Sequence, residues 1–127
     1  MISLYSLYKM NEYLVSEFGG AGIGFKDYNL AQSLINQPYQ EVFGQKLYPT
    51  DIDKISFMVF SVIANHIFID GNKRTGALLL ERLCAYKNIN LEFKDDELID
   101  LVLSVAKSKY NNEDIKTWIE NHNIKEF

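Results

Sequence analysis

Cysteine and histidine are scarce in this chain, and their scarcity removes whole classes of chemistry. One cysteine, Cys84, and two histidines, His66 and His122, occur in 127 residues. A lone thiol builds no disulfide framework and no cysteine-based metal site, and it fits a reducing compartment. The H-E-x-x-H spacing of a hydrolytic zinc site is absent. Only two prolines occur, Pro38 and Pro49, and each reads as an element boundary. Positive charge is short as well. Thirteen Lys and Arg stand against 17 Asp and Glu, a net charge of −4, which argues against a general nucleic-acid binder. The longest strongly apolar run, 57–69, is interrupted by Asn65 and His66 and is too short to span a bilayer. The first residues lack the basic stretch, continuous apolar run and cleavage site of a signal peptide. These absences point to a cytoplasmic protein with no membrane and no direct nucleic-acid partner. The chain shows no repeat, low-complexity tract or linker, so its length reads as a single domain over 1–127.

What is present is helix. Apolar residues make up 47% of the chain, enough for a domain of this size to bury a core without staples. Leu4, Leu7, Tyr8, Leu14, Val15 and Phe18 form a helical stripe over 3–18, ended by Gly19 and Gly20. The glycines of GGAGIGFKDYN do not match G-x-G-x-x-G, and no strand precedes them, so this segment reads as a tight loop. A short helix is expected over 28–36. YQEVFGQKLYPT follows and is the only segment with strand character, a small hairpin that must lean on helices. Thr50 and Asp53 approximate a capping box at the start of the strongest helix. Nearly every residue from Ile55 to Phe68 is apolar, as in a helix buried on all sides. Further helices are expected over 72–87, from an Asp95 cap through 108, and over 112–121, the last with Ile115, Trp118 and Ile119 inward. The fold class is all-α: about six helices around a buried central helix, with a short β-hairpin.

The chemistry gathers in NHIFIDGNKRTG at 65–76. Taken singly, each residue has an ordinary explanation. Asp-Gly is a common turn, Asp70 can cap the next helix, Lys73 and Arg74 can be solvated charges, and His66 can be a satisfied core histidine. The combination says more. His66 stands at the end of a buried helix, where a polar side chain is costly unless it faces a cleft or a partner. Asp70 follows four residues later and can reach the same cleft. Asn72, Lys73 and Arg74 fall in the first turn of the next helix, where unpaired N–H groups and the helix dipole favour an anion. Two cations in that turn oppose the usual acidic preference and make sense if an external anion sits there. Gly71 lets the backbone approach a phosphate. A candidate base, a candidate Mg²⁺ ligand and an anion cradle are the parts phosphoryl transfer needs. The stretch matches neither a P-loop, which needs Gly before the Lys, nor a calcium loop.

HIFIDGNKRT resembles the motif of the Fic/Doc family, and more closely its Doc (death-on-curing) branch. Fic proteins carry H-x-F-x-[DE]-G-N-G-R-x-x-R and Doc proteins H-x-F-x-[DN]-x-N-K-R; His66, Phe68, Asp70, Asn72, Lys73 and Arg74 match the Doc form in full. Lys73 stands where Fic has its second glycine, and Ala77 where Fic has its second arginine. EFGGAGIGFKD, LAQSLINQP and FGQKLYPT are similar to the loop, short helix and flap that precede the motif in Doc-type chains.

The resemblance implies a toxin that uses ATP and Mg²⁺ to phosphorylate a Ser or Thr hydroxyl of translation elongation factor Tu. By resemblance His66 is the general base, Asp70 holds Mg²⁺, and Gly71, Asn72, Lys73 and Arg74 bind phosphates, with Lys73 and Arg74 also acting in catalysis. Phe68 packs into the core, and the hairpin docks the target. Lys73 fills the space that glycine leaves open in Fic, which would turn the nucleotide so that its γ-phosphate meets the acceptor. AMP transfer of the Fic type and a catalytically idle binding module stand as alternatives. The inhibitory motif of some Fic proteins, [ST]-x-x-x-E-[GN], is broken here. Lys116 precedes Glu120-Asn121 where Ser or Thr is required. Inhibition would then come from another chain, and the resemblance implies a Phd-type antitoxin bound in a surface groove.

Overall fold

The computed structural model describes residues 1–124. Six helices carry the fold: α1 (Leu4–Phe18), α2 (Tyr28–Asn36), α3 (Asp51–Ala64), α4 (Asn72–Tyr86), α5 (Asp95–Ala106) and α6 (Asn112–His122). A 3₁₀ turn (Gln37–Tyr39) and an antiparallel hairpin, β1 (Glu41–Val42) with β2 (Gln45–Lys46), lie between α2 and α3. The fold is all-α with a two-strand flap, as the sequence pattern predicts.

Local chemistry sets the helix starts. The Thr50 hydroxyl accepts from the Asp53 N–H at 3.0 Å, and the Asp53 carboxylate accepts from the Thr50 N–H at 3.2 Å, which completes the capping box of α3. The Asp27 carboxylate takes the Asn29 and Leu30 N–H groups, and Asn111 with Asp114 does the same for α6. Helix α5 starts one residue earlier than expected: Lys94 is the cap, its N–H donates to Glu97, and Asp95 lies in the first turn.

α3 is the centre of the core. Its Ile55, Met58, Val59, Val62 and Ile63 are all buried, and α2, α4, α5 and α6 pack on it. α4 packs tightly on it at Gly76, where a Cβ would lie 2.5 Å from Ile63 Cγ1. Gly76 is what lets the two helices that flank the 65–71 loop meet so closely.

The structure departs from expectation at the end of α3. The helix stops at Ala64, although the apolar run continues to Ile69. Asn65 caps it and His66 turns the chain with φ +47. Ile67 to Ile69 then run extended against the glycine loop. Lys26 N–H donates to Ile67 at 2.8 Å, Ile69 N–H donates to Gly24 at 3.0 Å, and Phe25 pairs with Phe68. An apolar run of this length serves a buried extended segment as well as a helix, and periodicity cannot separate the two. Phe68 is fully buried, its ring stacked on Phe25 at 5.0 Å.

The flap is the small hairpin expected. Each strand has two residues, all exposed, and Phe43 and Gly44 both take positive φ at the tip. It leans on the helices at its base, where Tyr48 packs on Phe57 at 4.7 Å and Lys54 donates to the Tyr48 carbonyl at 2.5 Å.

Candidate active site

The loop between α3 and α4 opens on a cavity of about 400 Å³ lined by Ile63, His66, Ile69, Asp70, Gly71, Asn72, Lys73, Arg74 and Ala106. Every charged, polar and glycine residue that the sequence singles out as a site residue borders this one space. The volume falls in the range of small-ligand sites.

His66 is exposed, beyond the helix end rather than inside it. Its left-handed backbone is uncommon for a non-glycine residue and is the kind of strain found at functional sites. The imidazole makes no hydrogen bond to the described residues, so it is available to a ligand.

Asp70 is held from two sides. One carboxylate oxygen accepts from the Ala21 N–H and the other from the Gly71 N–H, each at 2.7 Å. These N–H groups, Ala21 first, hold its carboxyl below the usual carboxylate range, with Arg74 and Lys73 adding to the effect. Gly71 itself needs to be glycine: its φ is +75, and a Cβ would lie 3.3 Å from Val15.

The start of α4 is an anion cradle. The Thr75 N–H is the first of its turn spent inside the helix, on the Gly71 carbonyl at 2.8 Å. Among the described residues the N–H groups of Asn72, Lys73 and Arg74 stay unspent, and no acidic residue or side-chain cap occupies the turn. Among the described residues neither Lys73 nor Arg74 is ion-paired. Both are exposed, and Arg74 lies over the Phe18 ring at 4.9 Å and donates to the Phe18 carbonyl at 3.5 Å. The Asn72 side chain is already engaged. Its amide closes a two-way clip on Phe68, accepting from the N–H at 2.9 Å and donating to the carbonyl at 3.0 Å. What Asn72 offers the cavity is its backbone N–H.

Sequence reasoning missed the residues that hold this loop. Asn11, fully buried on α1, bonds three segments at once: its amide nitrogen donates to the Asp70 carbonyl at 2.9 Å and the Thr75 hydroxyl at 3.3 Å, and its amide oxygen accepts from the Gly24 N–H at 2.9 Å. A signal was there to read, because Asn11 interrupts the apolar stripe between Leu7 and Leu14. The contacts of Ala21 and Phe18 leave no trace in sequence spacing, since both come from the close approach of α1 and its following loop.

An all-α bundle whose central helix delivers a histidine, an aspartate and a cationic helix start to one cavity defines a class. The Fic/DOC family model matches residues 1–84, which include the whole 66–74 motif. The chain belongs to the Fic/DOC family. It is 32% identical over 108 residues to Toxin Doc of Mycolicibacterium smegmatis, a match that covers 76% of this chain and 82% of that relative.

Proposed function

We propose that this chain is the toxin of a toxin–antitoxin pair and a phosphotransferase of the Doc type. It moves the γ-phosphoryl group of ATP to a Ser or Thr hydroxyl of a translation protein, elongation factor Tu by family resemblance, and so stops translation in the cytoplasm. The observation that carries this reading is the shared cavity: His66, Asp70 and the unpaired Lys73 border one space at an open helix start.

His66 takes the proton of the acceptor hydroxyl as its oxygen attacks the γ-phosphorus. The bond from that phosphorus to the β–γ bridging oxygen breaks, and ADP leaves. The N–H groups of the α4 start, with Lys73 and Arg74, hold the phosphates and offset the charge that moves onto the leaving group. Gly71 keeps the backbone close to them. Asp70 suits a magnesium ion carried in with the nucleotide. It is held as a carboxylate, and each oxygen has spent one lone pair on an N–H. Among the described residues no cluster of three or more His, Cys, Asp or Glu side chains could hold a metal. Mg²⁺ bound through one carboxylate, phosphates and water needs no such cluster, and it neutralises phosphate charge when bound.

The antitoxin is of the Phd type by resemblance, seated in a surface groove. The curated relative is named a Doc toxin, and such a toxin needs a partner to hold it in check. No helix among the described residues is long and apolar enough to cross a membrane.

Intact-protein mass spectrometry tests the reaction. The chain is incubated with ATP, Mg²⁺ and elongation factor Tu, alongside His66→Ala. The expected result is a gain of one phosphate on the target, lost in the variant; removal of a general base costs about 10²–10⁴-fold in rate. A gain of one AMP would move the chain to AMP transfer despite Lys73. No gain on elongation factor Tu or on any protein of a whole lysate would refute transferase activity.

A further inference from the structure

The geometry points to Asn11 as a positioning residue for the transfer site: from the face of α1 that meets the loop, it holds Asp70 and the start of α4 in their working orientation. This inference rests on the proposed function for its catalytic meaning but on the hydrogen bonds alone for its structural content.

Asn11 is 0% exposed, and each of its described contacts leads to the site. Its amide nitrogen donates to the Asp70 carbonyl and the Thr75 hydroxyl. The first contact fixes the 70–71 peptide plane, and that plane presents the Gly71 N–H to the Asp70 carboxylate. The second ties the same plane to the first turn of α4. Its amide oxygen accepts from the Gly24 N–H. That bond anchors the glycine loop, whose Ala21 N–H holds the other Asp70 oxygen and whose Gly24 carbonyl takes the Ile69 N–H. One side chain thus controls Asp70 twice, through its own main chain and through the loop that grips its carboxylate.

A purely structural role would not need this convergence. A buried amide must satisfy its donors and acceptor, but any polar partners in the core would serve. Here none of the three partners belongs to α1. Two flank Gly71 and the third lies in the loop beside it. The neighbouring Val15 packs against both Gly20 and Gly71, so α1 presents a face shaped to the site.

The test compares Asn11→Ala and Asn11→Asp with Ile119→Ala, a core truncation on α6 that destabilises without touching the cavity. All are measured well below their melting transitions, so that a variant's lower stability does not masquerade as a site effect. The first readout is amide hydrogen exchange at Ala21, Gly24 and Gly71. Asn11→Ala is expected to speed all three by tenfold or more beyond any global change. Asn11→Asp keeps the acceptor for Gly24 and loses the donor to Asp70, so Gly71 should speed up and Gly24 should not. The second readout is transfer to elongation factor Tu, expected to fall tenfold or more in kcat with KM for the protein target little changed, because misplaced reacting groups slow the chemical step. Exchange no faster than in Ile119→Ala would overturn the inference, as would loosened amides with unchanged kcat. If the wild type itself transfers nothing, the proposed reaction fails, while the exchange data still decide whether Asn11 holds the loop.

Discussion

His66 stands in a left-handed conformation, with φ +47, at the point where α3 ends. A non-glycine residue there carries about 1–2 kcal/mol of steric cost from its Cβ. Glycine has no such cost, though it loses about 0.4–1 kcal/mol through the greater freedom of the unfolded chain. The imidazole is exposed and makes no hydrogen bond to the described residues, so little is lost with it. His66→Gly is therefore expected to be more stable than His66→Ala by about 1 kcal/mol. For 127 residues the unfolding entropy is about 0.27 kcal/mol per kelvin, which converts that difference into a rise in Tm of about 4 °C. Both variants should lose transfer activity, so stability and activity move in opposite directions at one residue. Thermal unfolding followed by circular dichroism, with calorimetry to check two-state behaviour, measures the gap. A His66→Gly protein equal to or less stable than His66→Ala would refute the claim that the site stores strain at its base.

Three further outcomes follow from the geometry. Gly71→Ala places a Cβ at φ +75 and 3.3 Å from Val15, and should lose about 1–2 kcal/mol in urea unfolding, with Gly71→Asn milder because asparagine tolerates this conformation. Burial pushes the Cys84 thiol up to about 12, so it should resist iodoacetamide in the folded protein and react only on denaturation; rapid native labelling would contradict its placement. The His122 ring meets Glu97 at 2.8 Å and the Trp118 carbonyl at 2.7 Å. Burial opposes its charge, yet the Glu97 carboxylate and that carbonyl outweigh it and raise His122 above the ordinary 6.5. The His122 ring, then the Lys94 N–H, lower Glu97 below 4.5. The raised histidine stabilises fully below 6.5 and loses its contribution as pH rises through its folded value. The lowered glutamate stabilises above 4.5 and loses its contribution as pH falls through its folded value. The Tm gap between wild type and His122→Phe should thus be widest between pH 4.5 and 6.5, and a gap that widens toward pH 9 would disprove the link.

Helix content, the central place of α3 and the charged, polar and glycine residues bordering the cavity were legible in the sequence, because each depends on local rules. Apolar spacing marks a buried face, Thr50 with Asp53 marks a helix start, and Gly71 before Asn72, Lys73 and Arg74 marks a helix start left open to an anion. The family motif is also local, nine residues from His66 to Arg74. What only tertiary structure decided is how that motif is held. The apolar run past Ala64 could continue as helix or turn into an extended segment, and the choice fell to the glycine loop, which supplies the pairing partner for Ile67 to Ile69. The Asn72 amide closes a clip on Phe68 that no sequence spacing announces, because a backbone left unpaired beside it needed both of its bonds. Asn11 and Ala21 reach Asp70 across 59 and 49 positions of chain. Such contacts have no period and no spacing. They exist because helix packing brings α1 and its loop against the start of α4, and a buried amide or N–H must then bond whatever that packing places beside it.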